Sequence, residues 1–538
     1  MSFSLWEALL IGILNWLGYC EIMVIHAAVQ QPLFLGLVFG LVYGDVPQGM
    51  IVGATLNLYY IGNIALGGTA IQDQTFGCCM AIPLALKTGM DPATALALAI
   101  PFGLLAGTLD SFRRLINGRF NAPVNKAIDE LNYKKISFYG CFLPGLVQFL
   151  IRFTMAFVVI LFLGDSLTTA VENLPVWLTE GISAIGGMLP ALGLIMCATI
   201  IGQPSLIPFF FLGFIGMSLT GLSSMTMAII AALIAIIYIN CASEFSGVES
   251  TGSMFRTGEE AGPRISNLTK RDHFMCGLRV YLLHRLSNSL EFLYGSSYVV
   301  AVMPALRKIY GNNTEGLKEA LHRHAMPYMT EQAWGECITG AALAMEEEIA
   351  AGNKEVTGSQ IVTLKSSLMG PLAGFGDTIL WVTLWPICQA LVIPFALQGQ
   401  WWPAFWAPVY LIFFVGMIYY PTHMIGYRTG RKSVIQLLKS GTMKKFMAAA
   451  GVLGMVMMGA LSASYTHVAT PLVFTINPGT ISETKIVLQD ILDGLVPNLL
   501  ALVYTAVSFF YIYKGGKYLR LVLATIVLGL LGSVVGIF

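Results

Sequence analysis

Charge is what this 538-residue sequence has least of: Asp, Glu, Lys and Arg together make up 11% of it, against 56% hydrophobic residues. Soluble chains carry about 25% charged residues, so a soluble globular enzyme is excluded and an integral membrane protein is implied. The mean hydropathy of +0.73 agrees. A net charge of +1 offers nothing to a nucleic acid. The first Lys or Arg is Lys87, and "MSFSLWEALLIGILNWLGYC" lacks a basic n-region. The start therefore reads as a retained membrane segment, not a signal peptide. The nine Cys have no metal-ligand spacing; Cys78, Cys79, Cys197 and Cys241 lie in apolar runs and read as small apolar fillers. "GYRTGRKS" (426–433) has some letters of a Walker loop without its spacing. "HRH" (322–324), with Glu331 and Glu336, is a poor metal set among basic flanks. No catalytic residue, metal or cofactor is assigned.

What is present is long apolar runs, punctuated. Spans are expected near 138–163, 183–202, 206–240, 366–398, 403–420, 446–464, 494–512 and 521–538. Most are close to the ~20 residues that cross a bilayer, and 206–240 and 366–398 are longer. Arg113, Arg114, Arg119, Lys126, Lys134 and Lys135 form a basic loop expected in the cytoplasm, as are 428–445 and 514–520. That puts 465–493 and the C-terminal Phe538 outside. Composition divides the chain into a membrane module (1–245), a Ser/Gly/Glu/Arg linker (246–268), a mixed-charge helical part (269–365) and a second membrane part (366–538). Thr269, before "KRDHF", suits a helix N-cap. The expected fold class is an all-α, multi-pass membrane protein of two polytopic modules with broken or re-entrant helices.

Two apolar stretches are too interrupted for simple spans. One is "YGDVPQGMIVGATLNLYYIGNIALGGTAIQDQTFG" (43–77); the other is "GPLAGFGDTILW" (370–381). Irregular backbone is tolerated at membrane depth only where protein or a watery cavity surrounds it, and discontinuous helices commonly cradle a transported solute. The candidate ligands in them are Asn57, Asn63, Gln72, Asp73, Gln74, Asp377 and Thr378. Amides and carboxylates suit a neutral solute rich in hydroxyls, and Tyr59, Tyr60 and Trp381 could stack on a sugar face. Asp45 and Asp377 equally suit helix caps, with a helix starting at Ile379. The alternative is an ion-coupled secondary transporter of a small polar solute, which needs a buried titratable relay. Residues 137–243 offer it little beyond Arg152, Asp165, Glu172 and Glu180. A membrane receptor or scaffold would need no such broken polar segments.

The strings "MPALRKIY" (303–310), "ALAMEEEIAAG" (342–352), "LMGPLAGFGDTILWVTLWPI" (368–387), "MGALSASYTHVATPLV" (458–473) and "ILDGLVPNLL" (491–500) resemble the enzyme IID component of the mannose-type sugar phosphotransferase system. "QQPLFLGLVFGLVYGDVPQGMIVGATLNLYYIG" (30–62), "GGTAIQD" and "PFFFLGFI" (208–215) are similar to its enzyme IIC component, more loosely. Two departures stand out. Asn57 replaces an acidic residue of a "GGTLE"-like string, and Gln30–Gln31–Pro32 replaces an "HRP"-like string. The two components are usually separate chains and are fused here. The resemblance implies a multi-pass permease of the bacterial cytoplasmic (inner) membrane, elevator-like and assembled as a homotrimer of the fused chain. It would move a sugar inward coupled to phosphorylation by a phosphorylated cytoplasmic IIB protein, itself charged by IIA. The phospho-carrier His residues would belong to those partners. In the IID-like helices Glu291 and His324 become secondary sugar-site candidates, and Glu346 and Glu347 weaker ones.

Overall fold

Helix boundaries in the first half follow the punctuation of the sequence. α1 (Leu5–Leu17) opens on a capping box between Ser4 and Glu7. α2 (Met23–Val29) and α3 (Pro32–Tyr43) form a broken pair bent by 68°. The break sits at Gln30 and Gln31 because Pro32 forces the preceding residue out of the helical region; Gln31 is extended, φ −74° and ψ 130°. Gly44, left-handed at φ 77°, ends α3. α4 (Val46–Tyr60) is capped by Asp45, which accepts from the Gln48 N–H. α3 and α4 pack backbone on backbone: a Cβ on Gly36 would collide with the Gly49 carbonyl, and one on Gly49 with that of Gly36.

α5 (Gln74–Thr88) and α6 (Pro92–Gly118) start on Asp73 and Asp91 caps. After α7 (Asn121–Asp129), α8 (Tyr133–Ser137) runs through a π-helical turn into α9 (Leu143–Glu172). α10 (Val176–Ile201), α11 (Ile207–Thr220) and α12 (Ser224–Phe245) complete the half. The single span expected over 206–240 is corrected here. Gly221 at φ 60° ends α11, and the chain continues as α12 after a break. Structural statements cover residues 3–61, 72–172, 175–201, 204–245, 268–439, 441–476 and 484–537 of this computed structural model. Most of the expected linker at 246–268 falls outside them.

In the second half α13 (Lys270–Leu283) opens on the expected Thr269 cap, in a capping box with Asp272. Lys308 and Thr269 hold the Asp272 carboxyl down at about 2. α14 (Gly295–Tyr310), α15 (Thr314–Ala325) and α16 (Gln332–Ala350) form a helical body around Tyr298, Leu306, Leu321 and Ile338. α17 (Gly358–Gly376) leads through a π-helical stretch, Asp377–Leu384, into α18 (Trp385–Leu397). The expected interruption at "GPLAGFGDT" is therefore corrected. The backbone stays helical across it, and Asp377 (φ −60°, ψ −43°) continues the helix instead of capping one at Ile379. Packed neighbours let a membrane helix keep its glycines and prolines. The disturbance appears downstream as the π stretch: Pro386 lacks the N–H that would bond back one turn.

α19 (Trp406–Tyr410), α20 (Gly416–Lys439) and α21 (Gly441–Tyr465) follow. An antiparallel hairpin pairs β1 (Val473–Ile476) with β2 (Thr484–Val487), Val473 opposite Val487. Among the described residues the fold is helical, as expected, with this one short hairpin beside the helices. α22 (Leu488–Leu495) and α23 (Leu499–Tyr513) meet at a 70° bend, and α24 (Tyr518–Val535) follows. Among the described residues four helices are long and apolar enough to cross a membrane, or up to six if each bent pair is one span. The halves share cores. Leu194 and Phe210 pack with Met455 and Phe509, and Leu33, Met50 and Leu58 with Leu380, Trp385 and Ile393.

Candidate functional site

The α2–α3 break and the α17–α18 helix face each other across a cavity of about 180 Å³. The first half contributes Met23, His26, Ala27, Gln30, Gln31, Tyr60, Ile61 and Gln74 to its wall. The second contributes Arg285 and Tyr294, the stretch Met329 to Gln332, and Ala373, Asp377, Trp381, Trp385 and Gln389.

The broken segment is held in place by polar groups of its own and of its neighbours. His26 Nδ1 lies 2.7 Å from the Gly18 carbonyl, and Gln74 Nε2 donates to the Gln30 carbonyl at 3.1 Å. Gln389 Nε2 donates to Gln31 Oε1 at 3.0 Å, which ties α18 to the break across the cavity. Glu331 caps α16 and accepts from the N–H groups of Ala333 (3.0 Å) and Trp334 (2.8 Å) and from Trp381 Nε1 (3.3 Å). α17 passes Glu331 closely, since a Cβ on Gly376 would meet its side chain. Asp377, next along, is half-buried, and its carboxyl makes no hydrogen bond among the described residues. Trp381 and Trp385, with ring centroids 5.2 Å apart, form an aromatic face beside it. The Oε1 of Gln332, the Oγ1 of Thr330 and the Oε1 of Gln389 are buried without partners among the described residues. Buried polar atoms normally find one, so these three stand out among the residues that line the cavity.

The expected site residues scatter relative to this cavity. Gln74 and Asp377 line it, and Trp381 stands with them. Asp73 is nearby but spent: Oδ1 caps α5 through the Phe76 N–H at 2.9 Å, and Oδ2 is ion-paired with Arg152 of α9. Gln72 and Tyr59 exchange hydrogen bonds in the core. Asn57 is fully buried one turn before Tyr60, and neither of its amide atoms has a partner among the described residues. Thr378 Oγ1 donates back to the Gly374 carbonyl at 2.7 Å, off the wall. Glu291 is exposed and reaches Asn121 at 3.4 Å, away from the cavity. His324 is buried against Glu346 (3.0 Å), which also takes the Tyr310 hydroxyl at 2.6 Å and lies 3.4 Å from Arg323. Burial holds His324 down at about 4. Asn63 lies outside the described residues.

Sequence reasoning missed Arg285, Glu331 and Gln389 as wall residues. Gln389 was findable as a lone amide inside an apolar span. Arg285 and Glu331 carried no such signal, because they stand in polar surroundings in the chain.

The family described as PTS system mannose/fructose/sorbose family IID component matches residues 267–538, and the family described as PTS system sorbose-specific IIC component matches residues 5–237. The mannose-specific EIID component of Escherichia coli K12 is 31% identical over 46% of this chain and 88% of its own length. The fructose permease IID component of Bacillus subtilis 168 is 31% identical over 49% and 95%. The sorbose-specific EIIC component of Klebsiella pneumoniae is 28% identical over 42% and 84%. A solved chain described as a membrane protein aligns with 51% of this chain and 99% of its own at 31% identity and a TM-score of 0.45. A chain of the mannose transporter ManYZ in complex with microcin E492 aligns with 52% and 99% at 30% identity and a TM-score of 0.27. The IIC-type and IID-type matches fall in that order on one polypeptide, and the chain belongs to the mannose/fructose/sorbose family of phosphotransferase-system permeases.

Proposed function

We propose that this permease binds its sugar in the cavity between the two halves and passes it inward to a phosphorylated cytoplasmic IIB protein. The observation that carries this reading is the polar wall drawn from both halves: Gln31 and Gln74 on one side, Asp377, Gln389 and Arg285 on the other, with Trp381 and Trp385 as the apolar face. Carboxylate and amide oxygens take sugar hydroxyls, Arg285 gives N–H groups to ring or hydroxyl oxygens, and the indoles cover a sugar's C–H face. The phosphoryl chemistry then belongs to IIB and IIA, and this chain supplies position. An elevator motion of one half against the other, and assembly as a homotrimer, complete the proposal. The contacts between α18 and the α2–α3 segment are then the ones that must change as the sugar moves. The family favours this over ion-coupled transport.

The test is Asp377→Asn in cells that supply IIA and IIB. Uptake of labelled mannose, fructose, sorbose and glucosamine is followed, and the sugar that wild type accumulates best is used. Loss of a hydrogen bond to a charged group is worth ~1.5–3 kcal/mol, so KM should rise by roughly 10–100-fold at equal membrane abundance. An unchanged KM would remove Asp377, and with it this cavity, from the sugar path.

A further inference from the structure

Between α1 and α2 the chain turns through Glu21, which has a left-handed backbone at φ 59°. A residue with a Cβ holds that conformation only where its surroundings over-determine it. Here the surroundings are two guanidinium groups from different halves. Arg113 of α6 lies 3.5 Å from Glu21 Oε1, and Nε of Arg285, just past α13, lies 3.3 Å from Oε2. Glu21 is 5% exposed. Arg113 is buried as deeply, whereas Arg285 reaches the cavity wall beside Tyr294. Burial works against charge on Arg285; the carboxylate of Glu21, then Tyr294 and the more distant Asp377, more than restore it.

We infer that Glu21 is a positioning residue for the sugar site, acting through Arg285. It holds that guanidinium back against the wall and away from Asp377, the other carboxylate on the same cavity. A guanidinium has five N–H donors, so the pair through Nε leaves donors for a sugar. Without Glu21, Arg285 turns to Asp377; the two neutralise each other and close the space that a sugar would fill. The buried ion pair also ties the first half to the second beside the cavity. The strained backbone of Glu21 is the local cost of bringing a carboxylate to a point that both halves share.

This rests on the cavity being the sugar site, and the experiment separates the two ideas. Kinetics of uptake, with the same labelled sugar, are compared for Glu21→Gln, Glu21→Asp, Arg285→Gln, Asp377→Asn and the double variant Glu21→Gln/Asp377→Asn, each normalised to protein in the membrane. Expected results are a KM raised about tenfold or more by Glu21→Gln with maximal rate nearly kept, and partial rescue in Glu21→Asp. In the Asp377→Asn background Glu21→Gln should add almost nothing, because the competing carboxylate is gone. If Asp377→Asn raises KM but membrane-inserted Glu21→Gln does not, the positioning role falls and the cavity stands. If the two changes simply add, Glu21 does not act through competition for Arg285. Should Glu21→Gln fail to insert, Arg285→Gln decides: a wild-type KM there overturns the inference. If Asp377→Asn also leaves KM unchanged, both ideas fall.

Discussion

In the first half the cavity wall is a true break. α2 stops at Gln30, which is still helical, Gln31 runs extended, and Pro32 restarts the chain at 68° to its former course. In the second half the wall is an uninterrupted helix that loosens into a π stretch from Asp377 to Leu384. The break exposes main-chain and amide groups, which Gln74 and Gln389 hold in place, while His26 ties α2 to the end of α1. The π stretch keeps its backbone bonded and only re-aims side chains. Equivalent jobs are done by unlike backbones, because what is conserved in lipid is satisfaction of polar groups, not their geometry. The two conspicuous acids follow the same division: Asp73 is used up in structure beside the break, and Asp377 stands open on the helix.

The largest effect should come from the structural acid. Arg152→Gln leaves Asp73 charged and buried without its partner, at a cost of roughly 3–5 kcal/mol. Little folded protein should reach the membrane, as read by membrane yield and thermal unfolding. Asp73→Asn/Arg152→Gln, which removes both charges, should restore much of it; if it does not, Asp73 has a further role. Next, Pro386→Ala returns the missing N–H and favours ordinary α-helical bonding. Losing the extra residue would rotate Asp377 by ~100° relative to α18. Uptake should fall about tenfold with abundance kept, and unchanged uptake would show that the π stretch does not aim the wall.

A smaller effect is expected where the two walls touch. A double-mutant cycle with Gln31→Ala and Gln389→Ala should show coupling of about 0.5–1.5 kcal/mol, the value of one hydrogen bond, read from thermal stability. Simple additivity would mean that the walls are independent. The smallest concerns the helical body of the second half. His324 is held at about 4 by burial against an unfolded value near 6.5. The unfolded chain therefore binds the extra proton between those values, and stability falls as pH drops from about 6.5 to 4. Other buried His share this, so His324→Gln should flatten the pH dependence of thermal unfolding only in part. An unaltered slope would contradict the buried neutral state.

The sequence located the two unusual segments but misjudged the backbone of the second and the availability of Asp73 in the first. Gly and Pro letters at 370–376 look the same whether a chain bends or stays helical. Only α16 and the Glu331 side chain packed against Gly376 show that it stays helical. Asp73 looked available because Arg152 lies 79 residues away in the chain. Caps, by contrast, were legible: Asp45 and Thr269 act on N–H groups three residues on. So was Gln74, though not the carbonyl of Gln30 that it bonds.

By itself, then, the sequence determined a membrane-embedded helical permease, its family and the segments that carry polar groups into an apolar chain. Low charge, span lengths, caps and specific strings are local properties that need no partner. The tertiary structure alone decided which of those polar groups are spent on one another and which remain open. It placed Arg285, Glu331 and Gln389 opposite the Gln30–Gln31 break, and Glu21 between two arginines. The reason is physical: a buried charge or amide is satisfied by whatever lies within about 3 Å, and distance along the chain says almost nothing about distance in space.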